Sequence, residues 1–164
     1  MIGVRRSGLV WLVVSLGAVA LDQVSKTWIM THFALHESVT LLPILDVVYA
    51  RNTGAAFSFL ADAGGWQRWF FTVLAVGVSA GIVMWLRRLD GRAQALMAAG
   101  LALVLGGAVG NVIDRVLFGY VVDFIAVHWN GNYFPAFNVA DSCISVGAAL
   151  LILDSVLASR KAKD

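Results

Sequence analysis

Two aspartates, Asp123 and Asp141, are the residues whose surroundings most favour catalysis. Asp123 lies inside the apolar run at 121–125, and Asp141 opens a long apolar segment. Burying an ionisable group in such apolar surroundings costs free energy, so the group is expected to have a partner or a function. If the two carboxyls face each other, they cannot both ionise cheaply and would share a proton. One could then deprotonate a water while the other protonates or hydrogen-bonds a carbonyl, which would hydrolyse an amide without a metal.

Other polar residues recur at helical spacing near the ends of apolar segments. Residues three or four apart lie on one face of a helix. Three groups have such spacing: Asp22 with Lys26, Asn111 with Asp114 and Arg115, and Asn138 with Asp141. The pattern predicts one polar pocket near one surface of a membrane.

Each of these groups also has a purely structural explanation. Asp22 and Lys26 could form an ion pair whose lysine extends to the membrane interface. Asp114 could mark a helix end that meets water. Asp141 could cap its helix, because the helix dipole favours an anion at the N-terminus. Asp123 is harder to explain in this way, because an apolar run gains nothing from a charge.

Competing chemistries have weaker support in the sequence. The three histidines lack a metal-ligand spacing, no Gly-x-Ser-x-Gly motif occurs, and Cys143 has no visible base. The glycines at 106–110 lie within an apolar segment and do not form a phosphate-binding loop. Twelve Lys and Arg nearly balance ten Asp and Glu. No metal, no cofactor and no nucleic-acid partner are expected.

The elements that must position these residues are membrane helices. Hydrophobic residues make up 60% of the 164 and charged residues 13%, with a mean hydropathy of +0.82, against about 45–50% and 25% in soluble domains. A spanning helix needs about 20 apolar residues. The sequence therefore predicts an all-α membrane protein, a single domain over residues 1–164, with four spans at approximately 9–30, 69–86, 93–113 and 139–158.

The basic residues predict the orientation of the spans. Lys and Arg accumulate on the cytoplasmic side of membrane proteins. Eight of the twelve lie before span one, between spans two and three, or after span four: Arg5, Arg6, Arg87, Arg88, Arg92, Arg160, Lys161 and Lys163. Both termini are expected in the cytoplasm, and the two long connections, at about 32–68 and 114–137, outside it.

The two outer connections differ in character. Residues 39–59 hold strand-like pieces broken by Pro43 and Gly54, which indicates a small sheet or hairpin. Residues 66–69 are typical of a helix start at the interface. The second connection is rich in aromatic residues, typical of an interfacial belt. We also expect residues 55–65 to move as a lid, because glycines flank an apolar patch.

Together the motifs resemble those of one family, the bacterial lipoprotein signal peptidases, or signal peptidase II. Any one block is weak evidence, but all five, in the family's order, are specific. They are Asp22-Gln23-Val24-Ser25-Lys26, Asn52-Thr53-Gly54-Ala55-Ala56-Phe57-Ser58, Gly110-Asn111-Val112-Ile113-Asp114-Arg115, Val122-Asp123-Phe124 and Phe137-Asn138-Val139-Ala140-Asp141.

The resemblance implies an aspartic endopeptidase of the bacterial inner membrane. Such enzymes remove signal peptides from diacylglyceryl-modified prolipoproteins, cutting just before the lipidated cysteine, and are inhibited by cyclic peptides of the globomycin type. The family fold implies a small extracytoplasmic sheet and a short interfacial helix beside the four spans, among membrane lipids. Its catalytic pair falls on Asp123 and Asp141.

The resemblance also implies two further sets of residues. Residues that contact substrate or inhibitor fall on Asn52, Gly54, Asn111, Arg115, Asn138 and Ala140. Residues that shape or support the site fall on Asp22, Lys26 and Asp114. No family motif covers residues 32–49, so the resemblance implies no role for His32, His36 or Glu37.

A function of another class remains open at this point. A small proton- or cation-coupled transporter could also place carboxylates within the membrane. Against it, the charged residues lie at one level and form no path from one surface to the other.

Overall fold

The structure, a computed structural model, describes residues 7–54 and 65–161. Each predicted span corresponds to a helix long and apolar enough to cross a membrane. They are α1 (Leu12–His32), which follows a short 3₁₀ turn at Gly8–Trp11, α2 (Trp66–Arg88), α3 (Ala95–Leu117) and α4 (Val139–Lys161).

The helix bounds differ from the predicted spans in two ways that affect the site. Helix α3 continues to Leu117, so Asp114 and Arg115 lie within the helix and not beyond it. Helix α2 already begins at Trp66. Residues 66–69 therefore form its first turn, and the expected interfacial helix is not a separate element among the described residues.

A four-stranded antiparallel sheet lies at one end of the helices, which we call the sheet end. Its order is β1-β2-β3-β4, with β1 at Ser38–Leu42, β2 at Leu45–Asn52, β3 at Val121–Trp129 and β4 at Asn132–Tyr133. The first two strands confirm the sheet predicted between α1 and α2. Strand β2 pairs with β3 and brings Ala50 opposite Asp123.

Strands β3 and β4 were missed by the sequence analysis, which interpreted this region mainly as an aromatic belt. The run at 121–125 is rich in valine and isoleucine, which favour strands. Asn130 and Gly131 both have positive φ, 49° and 78°, between β3 and β4. An Asn-Gly pair is the turn typical of a two-residue hairpin, so this local signal could have revealed the strands.

Helix α3 is the most buried of the four and packs against the other three. Small residues permit this close packing. A Cβ on Gly107 would strike the Ala140 carbonyl oxygen, and one on Gly110 would lie 2.6 Å from Asp22 Oδ2. Close approach at these two glycines brings the polar residues of α1, α3 and α4 together.

The hydrophobic core is divided between the two ends of the molecule. At the sheet end, Ile29 of α1 packs with Tyr49, Val122 and Phe124 of the sheet. At the opposite end, the cluster consists of Ile82, Leu86, Leu89, Ala98, Leu101 and Leu105. The first cluster anchors β2 and β3 to the helices and so holds Asp123 over them.

Candidate active site

Asp123 is held on β3 by two side-chain amides. It is only 2% exposed. Asn138 Nδ2 donates to its Oδ1 at 2.7 Å, and Asn52 Nδ2 donates to its Oδ2 at 3.0 Å. Asn52 is itself fixed, because its Oδ1 accepts the Gly54 N–H at 2.9 Å. Strand β3, the start of α4 and the end of β2 thus converge on one carboxyl.

Asp141 is held in the first turn of α4 by a reciprocal pair of hydrogen bonds with Asn138. The Asp141 N–H donates to Asn138 Oδ1 at 2.9 Å, and the Asn138 N–H donates to Asp141 Oδ2 at 3.3 Å. This is the arrangement of a capping box. The capping explanation for Asp141 is therefore correct in part, since Asn138 is the cap and Asp141 its partner.

The other carboxyl oxygen of Asp141 accepts a hydrogen bond from Asn111 Nδ2 at 2.7 Å. Asn111 Oδ1 in turn accepts from Asn138 Nδ2 at 3.2 Å. Asn138 is fully buried and forms hydrogen bonds with both carboxyls. This network is the structural link between Asp123 and Asp141.

All four oxygens of the two carboxyls accept hydrogen bonds from neutral amides. Of the ion pairs that the described residues form, none includes Asp123 or Asp141. The described part of the chain also has no cluster of three His, Cys, Asp or Glu able to hold a metal ion. Amides orient the carboxyls without neutralising them, so their protons can be exchanged.

Burial raises the pKa of Asp123 to about 7. Hydrogen bonds from Asn52 and Asn138 act in the opposite direction, because they stabilise the ionised form, while the nearby Asp141 raises the pKa further. A carboxyl with this pKa can hold and release a proton near neutral pH, as acid–base catalysis requires.

Beneath the two carboxyls lies a buried ion-pair cluster of Asp22, Lys26 and Asp114. Lys26 Nζ lies 2.8 Å from Asp22 Oδ2 and 3.0 Å from Asp114 Oδ2, and all three side chains are at most 1% exposed. The expected Asp22–Lys26 ion pair is thus present. The expectation that Lys26 extends to the interface and that Asp114 meets water is wrong, because the packing of α1 on α3 encloses both.

The buried cluster forms hydrogen bonds with residues that hold or adjoin the two catalytic candidates. Lys26 Nζ donates to Asn111 Oδ1 at 3.0 Å. Asp22 Oδ1 accepts the Ala140 N–H at 2.9 Å, and Asp114 Oδ2 accepts the Val122 N–H at 3.0 Å. Ala140 therefore contributes its backbone.

A cavity of about 620 Å³ opens beside Asp141 at the sheet end. Asn52, Gly54 and Arg115 line it together with the segment 134–137. A second cavity of about 400 Å³ continues between α2, α3 and α4, and it shares Asp141 and Arg115 with the first. Helix α2 packs on α3 and has no extensive interface with α4 among the described residues, which leaves this groove.

Arg115 and Gly54 shape the walls of the cavity around Phe71. The Arg115 guanidinium lies 5.6 Å from the Phe71 ring centroid, and its Nη1 donates to the Asn111 carbonyl at 3.4 Å. Gly54 has φ +102°, and a Cβ there would lie 3.3 Å from the same ring. Glycine suits this left-handed backbone and the close contact.

Sequence reasoning missed several residues at the site. Gln23 lies in the motif that begins at Asp22, but the sequence predicted no role in the site for it. Its Nε2 lies 2.9 Å from Asp114 Oδ1. Phe71 and the segment 134–137 line the cavity. The aromatic content of that segment was the available signal, and it was interpreted as an interfacial belt. Only the tertiary packing directs these rings towards Asp141.

The three residues without an implied role make local contacts near the turn between α1 and β1. His32 stacks on Trp28 with centroids 4.8 Å apart. Glu37 Oε2 accepts the Ala34 N–H at 2.7 Å, and the His36 N–H donates to the Tyr49 carbonyl at 2.8 Å. None of the three lines the two cavities beside Asp141. Of the expected lid at residues 55–65, residues 55–64 lie outside the described residues, and Gly65 precedes the first turn of α2.

The chain is similar in sequence to one family of known proteins. A family model described as Signal peptidase (SPase) II matches residues 14–157. The chain is 53% identical over 159 residues to a lipoprotein signal peptidase of Shewanella pealeana, covering 97% of this chain and 93% of the relative. It is 54% identical over 152 residues to one of Shewanella woodyi, covering 93% and 86%.

Two solved structures are similar to this fold, and both are described as bacterial membrane enzyme structures. One, at 2.3 Å resolution, has a TM-score of 0.81 and 32% identity, covering 94% of this chain and 92% of that chain. The other, at 1.9 Å resolution, has a TM-score of 0.77 and 33% identity, covering 88% and 90%.

Proposed function

The chain belongs to the signal peptidase II family, the lipoprotein signal peptidases, and we propose that Asp123 and Asp141 are its catalytic pair. It is a multi-pass bacterial membrane peptidase, and its family removes signal peptides from lipoproteins. Family membership decides between the two functions considered above, in favour of the peptidase and against the transporter.

The observation that carries the proposal is the contact of Asn138 with both carboxyls. Asn138 Nδ2 donates to Asp123, while its backbone N–H and its Oδ1 engage Asp141. One asparagine with this many contacts keeps the two carboxyls adjacent. Adjacent carboxyls can divide the proton transfers of amide hydrolysis between them.

In the proposed reaction, a water attacks the scissile carbonyl carbon and gives a proton to Asp141, which lines the cavity. Asp123 protonates the carbonyl oxygen, which yields a tetrahedral diol. The proton on Asp141 then passes to the leaving amide nitrogen as the C–N bond breaks, and a diol hydroxyl returns a proton to Asp123. A pKa of about 7 for Asp123 suits this role as the acid.

The substrate in this proposal is a diacylglyceryl-modified prolipoprotein, cut just before the lipidated cysteine. The groove between α2, α3 and α4 is lined largely by apolar residues and reaches Asp141. An apolar signal segment could therefore enter it from the bilayer. Asn52, Gly54 and Arg115 line the cavity where the peptide would lie. Arg115 has five N–H donors, and its hydrogen bond to the Asn111 carbonyl, the one it donates within the described part of the chain, leaves others for a substrate carbonyl.

The other residues of the implied contact set act from beneath the peptide. The side chains of Asn111 and Asn138 are occupied by the two carboxyls, and Ala140 offers its backbone to Asp22. Asp22, Lys26 and Asp114 support these residues. Cyclic peptide inhibitors of the globomycin type would occupy the same cavity.

We also propose an orientation and a location. Of the nine Lys and Arg residues that the structure describes, five lie at the end opposite the sheet: Arg87, Arg88, Arg92, Arg160 and Lys161. By the positive-inside rule that end faces the cytoplasm. The sheet and the site then lie at the outer surface of the bacterial inner membrane, with both termini of the single domain, residues 1–164, in the cytoplasm and membrane lipids around the helices.

Cleavage of a diacylglyceryl-modified prolipoprotein in detergent tests the proposal. Purified wild type is compared with Asp123→Asn and Asp141→Asn, with EDTA present throughout and folding checked by thermal unfolding. We expect both folded variants to lose cleavage at least a thousandfold, since neither amide can take or give the required proton.

Asp46→Asn is the matched control. Asp46 is also a buried aspartate of the sheet, but its partner is His128, at 3.3 Å, and it lines neither cavity. Its variant should keep wild-type cleavage. Retained activity in either variant of the pair would contradict the assignment, and a wild type that cuts only non-lipidated precursor would contradict the substrate.

A further inference from the structure

Gln23, which has no role in the proposed reaction, contacts both carboxylates of the buried ion-pair cluster. Its side-chain nitrogen Nε2 lies 2.9 Å from Asp114 Oδ1, 3.1 Å from Asp22 Oδ2 and 3.2 Å from the Gly110 carbonyl. An amide nitrogen carries two hydrogens. Three acceptors therefore compete for them, and two of these, Gly110 and Asp114, hold the side chain against α3.

Each of the two carboxylates uses another oxygen to hold a backbone N–H beside a catalytic aspartate. The Ala140 N–H donates to Asp22 Oδ1 at 2.9 Å, and the Val122 N–H donates to Asp114 Oδ2 at 3.0 Å. In both cases the next residue in the chain is a member of the catalytic pair. The two backbone contacts are thus equivalent in their relation to the reacting groups.

The charge balance of the cluster makes the amide of Gln23 necessary. Among the residues that the structure describes, Lys26 is the one cation that forms ion pairs with the two carboxylates, and it contacts Oδ2 of each. Oδ1 of Asp114 is therefore left to Gln23. A buried carboxylate oxygen without a donor is costly, because burial removes the water that would otherwise solvate it.

We propose that Gln23 is a positioning residue that couples the two catalytic aspartates through Asp22 and Asp114. This rests on the proposed catalytic pair. The side-chain contacts of Gln23 are to Asp22, Gly110 and Asp114, so it acts on the placement of the pair and not on substrate binding. Placement errors of about 1 Å can cost on the order of a hundredfold in rate.

Hydrogen exchange tests the coupling independently of activity. In Gln23→Ala we expect the amide hydrogens of Val122 and Ala140 to exchange about tenfold faster than in the wild type. Amides of α3 away from Gly110 should keep their wild-type rates. Unchanged exchange at both positions would overturn the proposal.

Steady-state cleavage then separates positioning from binding. We expect Gln23→Ala to lower kcat by about tenfold to a hundredfold with KM within about twofold of the wild type. Gln23→Met, which keeps the length of the side chain and removes the donor, should behave similarly and serves if the alanine variant does not fold. A rise in KM at unchanged kcat would contradict the proposal.

The Gln23→Glu variant gives a pH signature that a general loss of packing would not produce. Its carboxyl would face Asp22 and Lys26 from α1 and Asp114 from α3. When this carboxyl is ionised, it repels Asp22 and Asp114 and cannot donate a hydrogen bond. When it is protonated, it can donate one hydrogen bond to them. Its kcat relative to the wild type should therefore rise about tenfold between about pH 8 and pH 5, and a flat ratio would contradict the proposal.

Gln94→Ala is the matched control for structural loss. Gln94 also joins an amide side chain to a backbone group, accepting the Asp90 N–H at 3.1 Å, at the end of α3 opposite the sheet. It should keep wild-type kcat even if its melting temperature falls as far as that of Gln23→Ala. An equal loss of kcat in both variants would overturn the proposal. Retained cleavage in Asp123→Asn together with faster exchange in Gln23→Ala would refute the catalytic pair alone.

Discussion

Replacement of Asn52 by alanine is expected to shift the pH dependence of cleavage. Asn52 Nδ2 donates to Asp123 Oδ2 at 3.0 Å, and this hydrogen bond lowers the pKa of Asp123 against the larger effect of burial. The donor stabilises the ionised carboxylate. Without it, the pKa of Asp123 rises from its value of about 7.

The magnitude follows from the kind of hydrogen bond that is lost. A hydrogen bond to a charged group contributes about 1.5–3 kcal/mol, and Asn52 is only half-buried, so we take the lower end. About 1.4 kcal/mol corresponds to one pH unit. Asp123 is the acid in the proposed reaction, so cleavage falls as pH rises through its pKa. The alkaline limb of kcat/KM should therefore move up by about one pH unit.

The assay is a pH profile of kcat/KM between about pH 5 and pH 10, because kcat/KM reports ionisations of the free enzyme. Asn132→Ala is the control, since Asn132 is an exposed asparagine of β4 outside both cavities beside Asp141. A lower kcat/KM at every pH is acceptable in Asn52→Ala, because this side chain also lines the cavity. An alkaline limb that stays in place or moves down would refute the role of Asp123 as the acid.

Three further predictions concern the scaffold and the chemistry. Lys26→Met should destabilise the fold by about 3–5 kcal/mol in unfolding assays in mixed micelles, because it leaves two buried carboxylates without their cation; the exposed Arg92→Met should cost less than about 0.5 kcal/mol. Gly107→Ala should cost about 1–3 kcal/mol and lower cleavage, because its Cβ would strike the Ala140 carbonyl. Gly77→Ala, with no atom within 4 Å of its Cβ, should be neutral or stabilising, and equal effects of the two would contradict the close-packing argument. Removal of divalent metals by a chelator should leave cleavage unchanged, since amide donors already hold all four oxygens of the pair; a loss restored by added metal would contradict this.

Some polar residues of the site were predictable from the sequence, because a charged group in an apolar segment is energetically unfavourable without a partner. Asp123 in an apolar run and Asp22 and Lys26 within a span stand out, because charges in such surroundings need partners. Asn138 and Asp141 lie close in the chain, so their capping arrangement was also within reach. The resemblance of the five motifs then identified the family, which the comparisons confirmed.

Partnerships between distant residues were not predictable. Asp22 and Ala140 are 118 positions apart, and they meet only because glycines let α3 approach α1 and α4 closely. The pairing of β3 with β2, which lies 69 or more positions earlier in the chain, was likewise not predictable. Local signals at 121–125 and at Asn130-Gly131 indicate a strand, but only the pairing with β2 brings Asp123 next to Asn52.

The sequence by itself determined the four membrane helices, the small sheet between the first two and the set of polar residues near their ends. Those features follow from hydropathy, spacing and the cost of charge, which are properties of single segments. Only the tertiary structure decided which amide holds which carboxyl, that Lys26 is enclosed, and that Gln23 contacts two carboxylates. These outcomes depend on close packing between segments, because a hydrogen bond forms only within about 3.5 Å and no single segment specifies distances of that kind.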